Sequence, residues 1–389
     1  MFYKPFCDKQ ISVLGLGCMR LPVEAGSGKI DVPEAEKLIA HAYQSGINYF
    51  DTAYGYHGGQ SEIVTGKALS QFPRDTWYIA SKMPGHMMNY KDGKLSFHGY
   101  MTGSTMPSTA AIFEHQLEKC GVDYFDFYLL HNLAETSYAF YTDEDLRITE
   151  YLLEQKRKGR IRHLGFSAHG RPETIEAFLK AYDCFEFAQI QINYLDWVIQ
   201  DAKQKYEILT RHKLPVIAME PVRGGALAAL DASAQALLRA ARPEDPDVYW
   251  ALRFLQSLDN MQVILSGMSS MAQLEQNLAL FSKPSPTDAA ENALLMQVVE
   301  GMMNRVPCTA CRYCCDDCPK GLDIPKLLSL YNELSYGAAG TMQFTLGAMT
   351  QEELPSACIA CGKCKTMCPQ SIDIPEVLAK FAEKLAQKG

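Results

Sequence analysis

Thirteen cysteines occur in the 389-residue chain, and nine of them lie between residues 308 and 368. In that stretch the spacing C-x2-C-x2-C-x3-C-P occurs twice, and its cysteines are Cys308, Cys311, Cys314 and Cys318, then Cys358, Cys361, Cys364 and Cys368. Two residues between thiolates let three sulfurs converge on one cube, which favours [4Fe–4S] clusters. The alternative is structural zinc, which is typically bound by two well-separated CxxC pairs. Cys315 is interpreted as an additional thiol beside the first run.

The two cysteine runs are parts of an internal repeat. CTACRYCCDDCPKGLDIPKLL aligns without a gap with CIACGKCKTMCPQSIDIPEVL, offset by 50 residues (358 − 308), and each copy ends in a helical pattern. The spacing resembles that of bacterial two-cluster ferredoxins, in which the fourth cysteine of each run binds the other cluster. The resemblance implies two crossed ligand sets: Cys308, Cys311, Cys314 and Cys368 for one cluster, and Cys358, Cys361, Cys364 and Cys318 for the other.

A second group of residues could carry out proton transfer. Asp51 and Tyr56 lie in DTAYGYHGG, Lys82 in IASKMP and His131 in YLLHN. A phenol is a poor acid at neutral pH, but a nearby ammonium favours the phenolate and lowers its pKa. A carboxylate would keep that ammonium charged and in place, and a histidine could orient a carbonyl oxygen. Such a unit could protonate the oxygen of a carbonyl while a hydride reaches its carbon.

These residues follow short apolar runs that predict buried parallel strands. The runs alternate with helical patterns, and eight is the number of strands that closes a (β/α)8 TIM barrel, whose active site lies at the carboxyl ends of the strands. The predicted strands are 13–17, 47–53, 77–82, 126–131, 163–167, 187–193, 215–220 and 262–267. The predicted architecture is therefore an α/β TIM barrel followed by a small, helix-rich dicluster ferredoxin-like domain.

The Pro- and Ser-rich run FSKPSPTDAAEN marks a domain boundary. We expect a barrel domain over 1–282, a linker over 283–300 and a cluster domain over 301–389. The net charge of −8, without a block of like charges, argues against nucleic acid and anionic membranes as partners. No apolar run approaches the ~18 residues of a membrane span. The N-terminus MFYKPFCDKQ predicts no signal peptide, and metal-binding thiols suit a reducing, cytoplasmic location.

The barrel sequence resembles the aldo-keto reductases over residues 8–282. The segments that carry the resemblance stand in the family's order, and they are GLGCMRLP, DTAYGYHGGQSE, GKAL, IASKMP, YLLHN, IRHLGFS and QINYLD. The resemblance implies that Tyr56 is the catalytic acid/base and that Lys82, Asp51 and His131 are its partners. It also implies a small carbonyl or alcohol as substrate and NAD(P)H as cofactor.

The resemblance further implies a nucleotide site, from which this sequence departs in places. Ser167 and Gln189 match positions that hold the nicotinamide amide, but Ala168 replaces the usual asparagine and Met219 the usual stacking aromatic residue. Arg223 could supply charge to the pyrophosphate, or form a salt bridge instead. Positions that would bind the adenosine phosphates follow the eighth strand, and they are Gly267, Ser269, Gln273 and Asn277. Because Gly267 and Gln273 replace basic residues there, strict NADPH preference is not expected.

The sequence thus predicts a carbonyl/alcohol oxidoreductase joined to an electron-transfer module. [4Fe–4S] clusters move single electrons and nicotinamide moves a hydride, so a group that handles both, usually a flavin, should lie between them. Either the barrel holds a flavin in place of nicotinamide, or the clusters serve an external flavoprotein, or the clusters are structural. The candidate partners are a ferredoxin or a flavoprotein, and the oligomeric state is left open. Two alternatives remain: an electron-transfer iron–sulfur protein with a flavin-binding or non-catalytic barrel, and a redox sensor whose clusters regulate the barrel.

Overall fold

The computed structural model describes residues 1–91, 94–97, 106–303, 306, 308, 311–335 and 345–387. Its strands are β1 (Tyr3–Phe6), β2 (Lys9–Ser12), β3 (Leu14–Gly17), β4 (Tyr49–Asp51), β5 (Tyr78–Met83), β6 (Met88–Lys91), β7 (Lys94–Phe97), β8 (Phe125–Leu133), β9 (Ile161–Ala168), β10 (Ala188–Gln191), β11 (Val216–Met219) and β12 (Met261–Ser266). Eight of them form a closed parallel barrel in the order β3-β4-β5-β8-β9-β10-β11-β12. The predicted TIM barrel is therefore confirmed.

The barrel forms because its strands are buried on both faces. Every residue of β4 and of β10 is buried, as expected for parallel strands covered by helices. Closure comes from β12, whose Ile264 lies opposite Leu14 of β3. The interior is tightly filled at this seam, because a Cβ atom on Gly15 would lie 2.8 Å from the Leu265 side chain.

The hairpin of β1 and β2 was not predicted from the sequence. It pairs in antiparallel register, with Phe6 opposite Lys9. Its Phe6 and Ile11 are fully buried in a cluster with Phe127 and Phe187, and the rings of Phe6 and Phe127 stack at 5.1 Å. The hairpin thus fills the amino-terminal end of the barrel and leaves the carboxyl ends of the strands for chemistry.

The helices follow the strands as in other barrels. Those of the first 280 residues are α1 (Val32–Gln44), α2 (Ser61–Leu69), α3 (Thr109–Cys120), α4 (Glu135–Tyr141), α5 (Ile148–Arg157), α6 (Pro172–Ala181), α7 (Asp196–Ile199), α8 (Ala202–Arg211), α9 (Ala232–Ala241), α10 (Asp247–Gln256) and α11 (Met271–Leu280). The remaining helices are α12 (Ala289–Met302), α13 (Tyr313–Asp316), α14 (Ile324–Ser335), α15 (Lys363–Met367) and α16 (Ile374–Ala386). None of the helices in the described ranges is long and apolar enough to cross a bilayer.

The chain divides into two compact units that differ from the expected domain boundaries. One comprises Met1–Pro221 and Tyr249–Ala289, and the other Val222–Val248 and Ala290–Gly389. The expected linker over 283–300 is largely helix α12, because buried Leu295, Val298 and Val299 recur at helical spacing beyond the Pro- and Ser-rich run.

The sequence repeat is also a structural repeat. Arg312 and Gly362, 50 residues apart (362 − 312), both adopt left-handed backbone conformations just before α13 and α15. The two longer helices, α14 and α16, bury apolar side chains that include Leu327, Leu378 and Phe381. The cluster region is thus helix-rich, as expected from its sequence.

Candidate active site and cluster sites

A buried ion pair lies at the carboxyl ends of β4 and β5. The Lys82 ammonium donates to Asp51 Oδ1 at 2.5 Å and to the Thr52 carbonyl at 2.7 Å. Lys82 is 0% exposed and Asp51 3%, so the pair is shielded from water. Burial raises the pKa of Asp51, while the Lys82 charge opposes that rise. Removing one partner of such a pair typically costs about 3–5 kcal/mol, so each side chain holds the other in place.

Tyr56 lies next to this pair and is partly exposed. Lys82 Nζ is 3.4 Å from Tyr56 Oη and 4.9 Å from the centre of its ring. Burial first, and then the carboxylates of Asp51 and Glu220, raise the pKa of Tyr56 well above its usual value. The net shift is therefore opposite in direction to the lowering of this pKa expected from Lys82, because burial and the two carboxylates dominate. Tyr56 is a neutral phenol that can donate a proton.

His131 completes the predicted group. Its ring centre lies 5.7 Å from that of Tyr56, edge to face. Burial, followed by the neighbouring His86, Lys82 and His169, lowers the pKa of His131 well below its usual value, so the imidazole is neutral. In the described part of the chain, its buried Nδ1 has no hydrogen-bond partner. The structure therefore brings all four predicted catalytic residues together.

Sequence reasoning missed two further histidines of this site. The ring of His86 lies 4.3 Å from that of His131, and burial lowers the pKa of His169 to about 4. Both residues lie just beyond strand ends, in PGH after β5 and in AHG after β9. That position is the signal that could have identified them, since the loops after barrel strands form the active site.

The two residues predicted to hold a nicotinamide amide are neighbours. Ser167 on β9 lies opposite Gln189 on β10. Ser167 Oγ accepts a hydrogen bond from the Asn132 amide at 2.8 Å, and its own hydrogen remains to be donated. Gln189 Nε2 contacts the Met219 sulfur at 3.7 Å, while Gln189 Oε1 is buried without a partner among the described residues. An amide N–H of a bound ring would satisfy that oxygen.

The residues predicted to bind the adenosine phosphates lie together after β12, but their polar groups are already used. The Ser269 amide donates to Gln273 Oε1 at 2.7 Å, and Ser269 Oγ donates to the Arg20 carbonyl at 2.8 Å. Asn277 donates to Ser266 Oγ at 2.9 Å in a buried site. A Cβ atom on Gly267 would lie 3.1 Å from Arg20. Ser269, Gln273 and Asn277 therefore each have at least one polar group that is hydrogen-bonded within the protein.

Arg223 does not join these residues. Its guanidinium is fully buried and forms an ion pair with Glu333 of α14, and both residues belong to the second unit. The sequence left open a salt bridge or a pyrophosphate contact for this arginine. The observed ion pair corresponds to the salt-bridge alternative, in which the guanidinium charge is balanced by a carboxylate.

The eight cysteines of the repeat line two cavities. Cys308, Cys311, Cys314 and Cys368 line the first cavity, and Cys318, Cys358, Cys361 and Cys364 line the second. Each cavity thus takes three cysteines from one run and the fourth from the other. Cys315 lines neither cavity. In the described residues, no three His, Cys, Asp or Glu side chains converge closely enough to hold one metal ion.

Comparison with known proteins accounts for both parts of the molecule. The model of the aldo/keto reductase family matches residues 13–299, nearly three quarters of the chain. The chain belongs to the aldo/keto reductase family. The model of the 4Fe-4S dicluster domain matches residues 307–372, so this family member carries a fused domain that implies two clusters. It is an oxidoreductase of this family, which typically uses NAD(P)H.

Several relatives share the reductase part. "NADH-specific methylglyoxal reductase" of Escherichia coli is 25% identical over 303 residues, which cover 70% of this chain and 90% of that protein. "Probable aldo-keto reductase 1" of Glycine max is 27% identical, over 48% of this chain and only 49% of its own length. Among solved structures, holo aldo-keto reductase AKR11C1 of Bacillus halodurans has 26% identity and a TM-score of 0.61, over 77% of this chain and 96% of that one.

Proposed function

We propose that this aldo/keto reductase interconverts a small carbonyl compound and its alcohol, with Tyr56 as the acid/base. The observation that carries the proposal is the contact of the Tyr56 phenol with the buried Lys82–Asp51 pair, beside a neutral His131. The methylglyoxal reductase named above acts, by its name, on a small dicarbonyl compound. A small aldehyde or ketone is therefore the substrate class to test first.

Each of the four residues has a separate task in this proposal. A phenol is protonated at neutral pH, so Tyr56 can give its proton to the carbonyl oxygen as the hydride reaches the carbon. Lys82 is close enough to stabilise the phenolate that remains, and Asp51 keeps the ammonium in place. The neutral His131 can orient the carbonyl oxygen toward Tyr56 Oη. In alcohol oxidation the same phenolate would take the proton back.

The barrel fits a nicotinamide ring better than it fits the rest of a dinucleotide. Ser167 and the unpartnered Gln189 Oε1 would hold the carboxamide, and a bound nicotinamide would supply the hydride. The polar groups of Ser269, Gln273 and Asn277 must first exchange partners before they can bind phosphates. We therefore propose NAD(P)H as the cofactor. Its binding affinity would come mainly from contacts with the nicotinamide ring.

The eight repeat cysteines fit the two clusters of the dicluster domain. We propose that each four-cysteine cavity holds one [4Fe–4S] cluster, which gives the crossed ligand sets implied by the ferredoxin resemblance. Such clusters supply or accept one electron at a time. Coupling to a two-electron reaction then requires a flavin. We place this flavin on a flavoprotein partner, which exchanges electrons with the clusters directly or through a ferredoxin.

A second candidate function follows from the nucleotide segment. Because several of the predicted phosphate-binding groups already have hydrogen-bond partners, and Ala168 and Met219 replace the usual nicotinamide contacts, the barrel could instead bind a flavin or serve as a scaffold. The molecule would then be an electron-transfer iron–sulfur protein. The intact group of Tyr56, Lys82, Asp51 and His131 favours the reductase.

A comparison of electron donors tests the proposal. Anaerobically purified protein should reduce at least one member of a panel of small aldehydes and ketones, methylglyoxal included, with NADH or NADPH as donor. The measurement is the carbonyl-dependent loss of absorbance at the nicotinamide band. The same assay on protein without clusters is the control. No turnover with either nucleotide, together with one flavin per chain in the extract, would make the electron-transfer protein the better account.

The nucleotide site itself gives a further prediction. NADH and NADPH should bind with affinities within about ten-fold of each other, or with NADH preferred. Gly267 and Gln273 offer no positive charge to a 2′-phosphate, and a charge-assisted contact usually contributes about 1.5–3 kcal/mol, roughly ten- to a hundred-fold in affinity. Isothermal titration with both nucleotides measures the ratio. NADPH bound a hundred-fold more tightly than NADH would contradict the prediction.

A further inference from the structure

A group of polar side chains lies buried directly behind Lys82, on the side of the strand that faces the helices. We call it the buried carboxylate network, and its members are Glu62, Ser81, Gln116, Lys119 and Tyr128. Four of them are 0% exposed, and the side chain of Lys119 is 8% exposed. Among the described residues, no member forms a hydrogen bond with the side chain of Tyr56, Lys82, Asp51 or His131. Buried polar groups of this number need a reason beyond packing.

Glu62 of α2 is the centre of the network. One carboxylate oxygen, Oε1, accepts from Ser81 Oγ at 2.5 Å and from Gln116 Nε2 at 2.7 Å. The other, Oε2, lies 2.7 Å from Lys119 Nζ. Tyr128 donates to Gln116 Oε1 at 2.5 Å and so orients that amide with its NH2 group toward Glu62. Glu62 is therefore a fully buried carboxylate. Its described partners Ser81, Gln116 and Lys119 each present an O–H or N–H group to it.

The two partners of Glu62 on α3 also hold the backbones that carry the catalytic residues. Gln116 Nε2 donates to the carbonyl of Lys82 at 3.1 Å. Lys119 Nζ donates to the carbonyl of Tyr54 at 3.2 Å, two residues before Tyr56. One carboxylate thus connects the strand that carries the catalytic ammonium to the loop that carries the phenol.

The helices are packed so that this connection can form. A Cβ atom on Gly66 of α2 would lie 2.0 Å from the carbonyl oxygen of Cys120, at the end of α3. The absence of a side chain at Gly66 therefore lets α3 approach α2 closely. That approach lets Gln116 form a hydrogen bond with Glu62 and lets Lys119 form an ion pair with it.

We propose that Glu62 is a positioning residue of the reductase: it fixes Lys82 Nζ relative to Tyr56 Oη by holding both backbones through Gln116 and Lys119. The inference rests on the proposed role of Tyr56. The Lys82–Tyr56 distance of 3.4 Å is at the long limit of a hydrogen bond, so a small displacement of either backbone removes the contact. Misplacement of a catalytic group by about 1 Å can lower the rate by about 10²-fold.

The test variant is Glu62→Gln, which keeps the size of the side chain but removes the charge that holds Lys119. The matched control is Asp126→Asn on β8, the strand that pairs with the Lys82 strand β5. Asp126 is 3% exposed, accepts from Arg74 at 2.8 Å and from the Ile79 amide at 3.0 Å, and has no contact with Lys82 among the described residues. Both variants break a buried ion pair between carboxylate and cation, so a loss of thermal stability is expected in both.

Two readouts on the cluster-loaded protein separate positioning from stability. The first needs no substrate: the 13Cζ NMR signal of Tyr56, assigned by its absence in Tyr56→Phe, should move in Glu62→Gln and stay in place in Asp126→Asn. The second is turnover of methylglyoxal or another carbonyl found active with wild type. There kcat of Glu62→Gln should fall by about 10²-fold with little change in KM, while Asp126→Asn keeps its kcat.

Ser81→Ala is the milder variant if Glu62→Gln does not fold, and it should change both readouts in the same direction by less. An unmoved Tyr56 signal in the folded Glu62 variant, or an equal change in Asp126→Asn, overturns the proposal. Failure of the proposed function has a different signature, in which Tyr56→Phe keeps full activity whatever the Glu62 variant does.

Discussion

Tyr56→Phe is expected to lower kcat by about 10²–10⁴-fold, the usual size of a general acid–base contribution. The variant removes only the hydroxyl, which lies 3.4 Å from Lys82 Nζ, and it leaves the Lys82–Asp51 pair intact. Fold and cluster content should not change, because the cysteines that line the cluster cavities all lie beyond residue 300. Turnover of a carbonyl substrate that wild type accepts is the measurement, with iron and sulfide content as the control.

Lys82→Met should be nearly as damaging for a related reason. It removes the charge beside Tyr56 and leaves Asp51 as an unpaired buried carboxylate, whose raised pKa would rise further. The double variant should be little worse than either single one, because the two side chains act as one unit. Full activity in Tyr56→Phe with the native substrate and donor would falsify the acid/base assignment and favour a scaffold or flavin barrel.

Cys318→Ala and Cys368→Ala are each expected to remove the cluster of the other run. Wild-type protein prepared without oxygen should contain about eight irons per chain, from two four-iron clusters, and each variant about four. The reason is the lining of the cavities, since Cys368 shares one with Cys308, Cys311 and Cys314, while Cys318 shares the other with Cys358, Cys361 and Cys364.

Matched variants distinguish crossed from local ligation. The electron paramagnetic resonance spectrum of reduced Cys368→Ala should match that of Cys314→Ala, and Cys318→Ala should match Cys361→Ala, because each pair retains the same cluster. Cys315→Ala should keep all eight irons, as this thiol lines neither cavity. A Cys318→Ala spectrum equal to that of Cys314→Ala would show that each run binds its own cluster. Stoichiometric zinc without iron and sulfide would remove the clusters altogether.

The parts of the molecule that could be predicted are those with a strong local pattern. Parallel strands buried on both faces give continuous apolar runs, so all eight barrel strands were predictable, and Asp51, Lys82 and His131 were predictable from their place at or beside strand ends. The repeat spacing likewise predicted the helix-rich cluster region, which the match to the dicluster domain supports.

What could not be predicted depends on contacts between distant segments. The partner of Arg223 is Glu333, 110 residues away, and no local pattern points to it. The raised pKa of Tyr56 depends on burial and on the carboxylates of Asp51 and Glu220, and neither the burial nor the approach of Glu220 follows from a local sequence pattern. Glu62 follows Ser61 in α2, and no local sequence pattern there distinguishes it from a surface carboxylate. Its partners are identified only by the packing of α2 against α3.

The shared cavities have a consequence for the order in which the protein can be made. The first cavity is lined by Cys314 and by Cys368, which is translated 54 residues later (368 − 314). At about 5–20 residues per second, a ribosome needs several seconds to cover that distance, and during this time three thiolates of the first run lack their fourth ligand. If the proposed crossed ligation is right, cluster delivery follows synthesis of the second run. Both sites then become complete within the same few residues of elongation, so the nascent chain passes from having no complete site to having two.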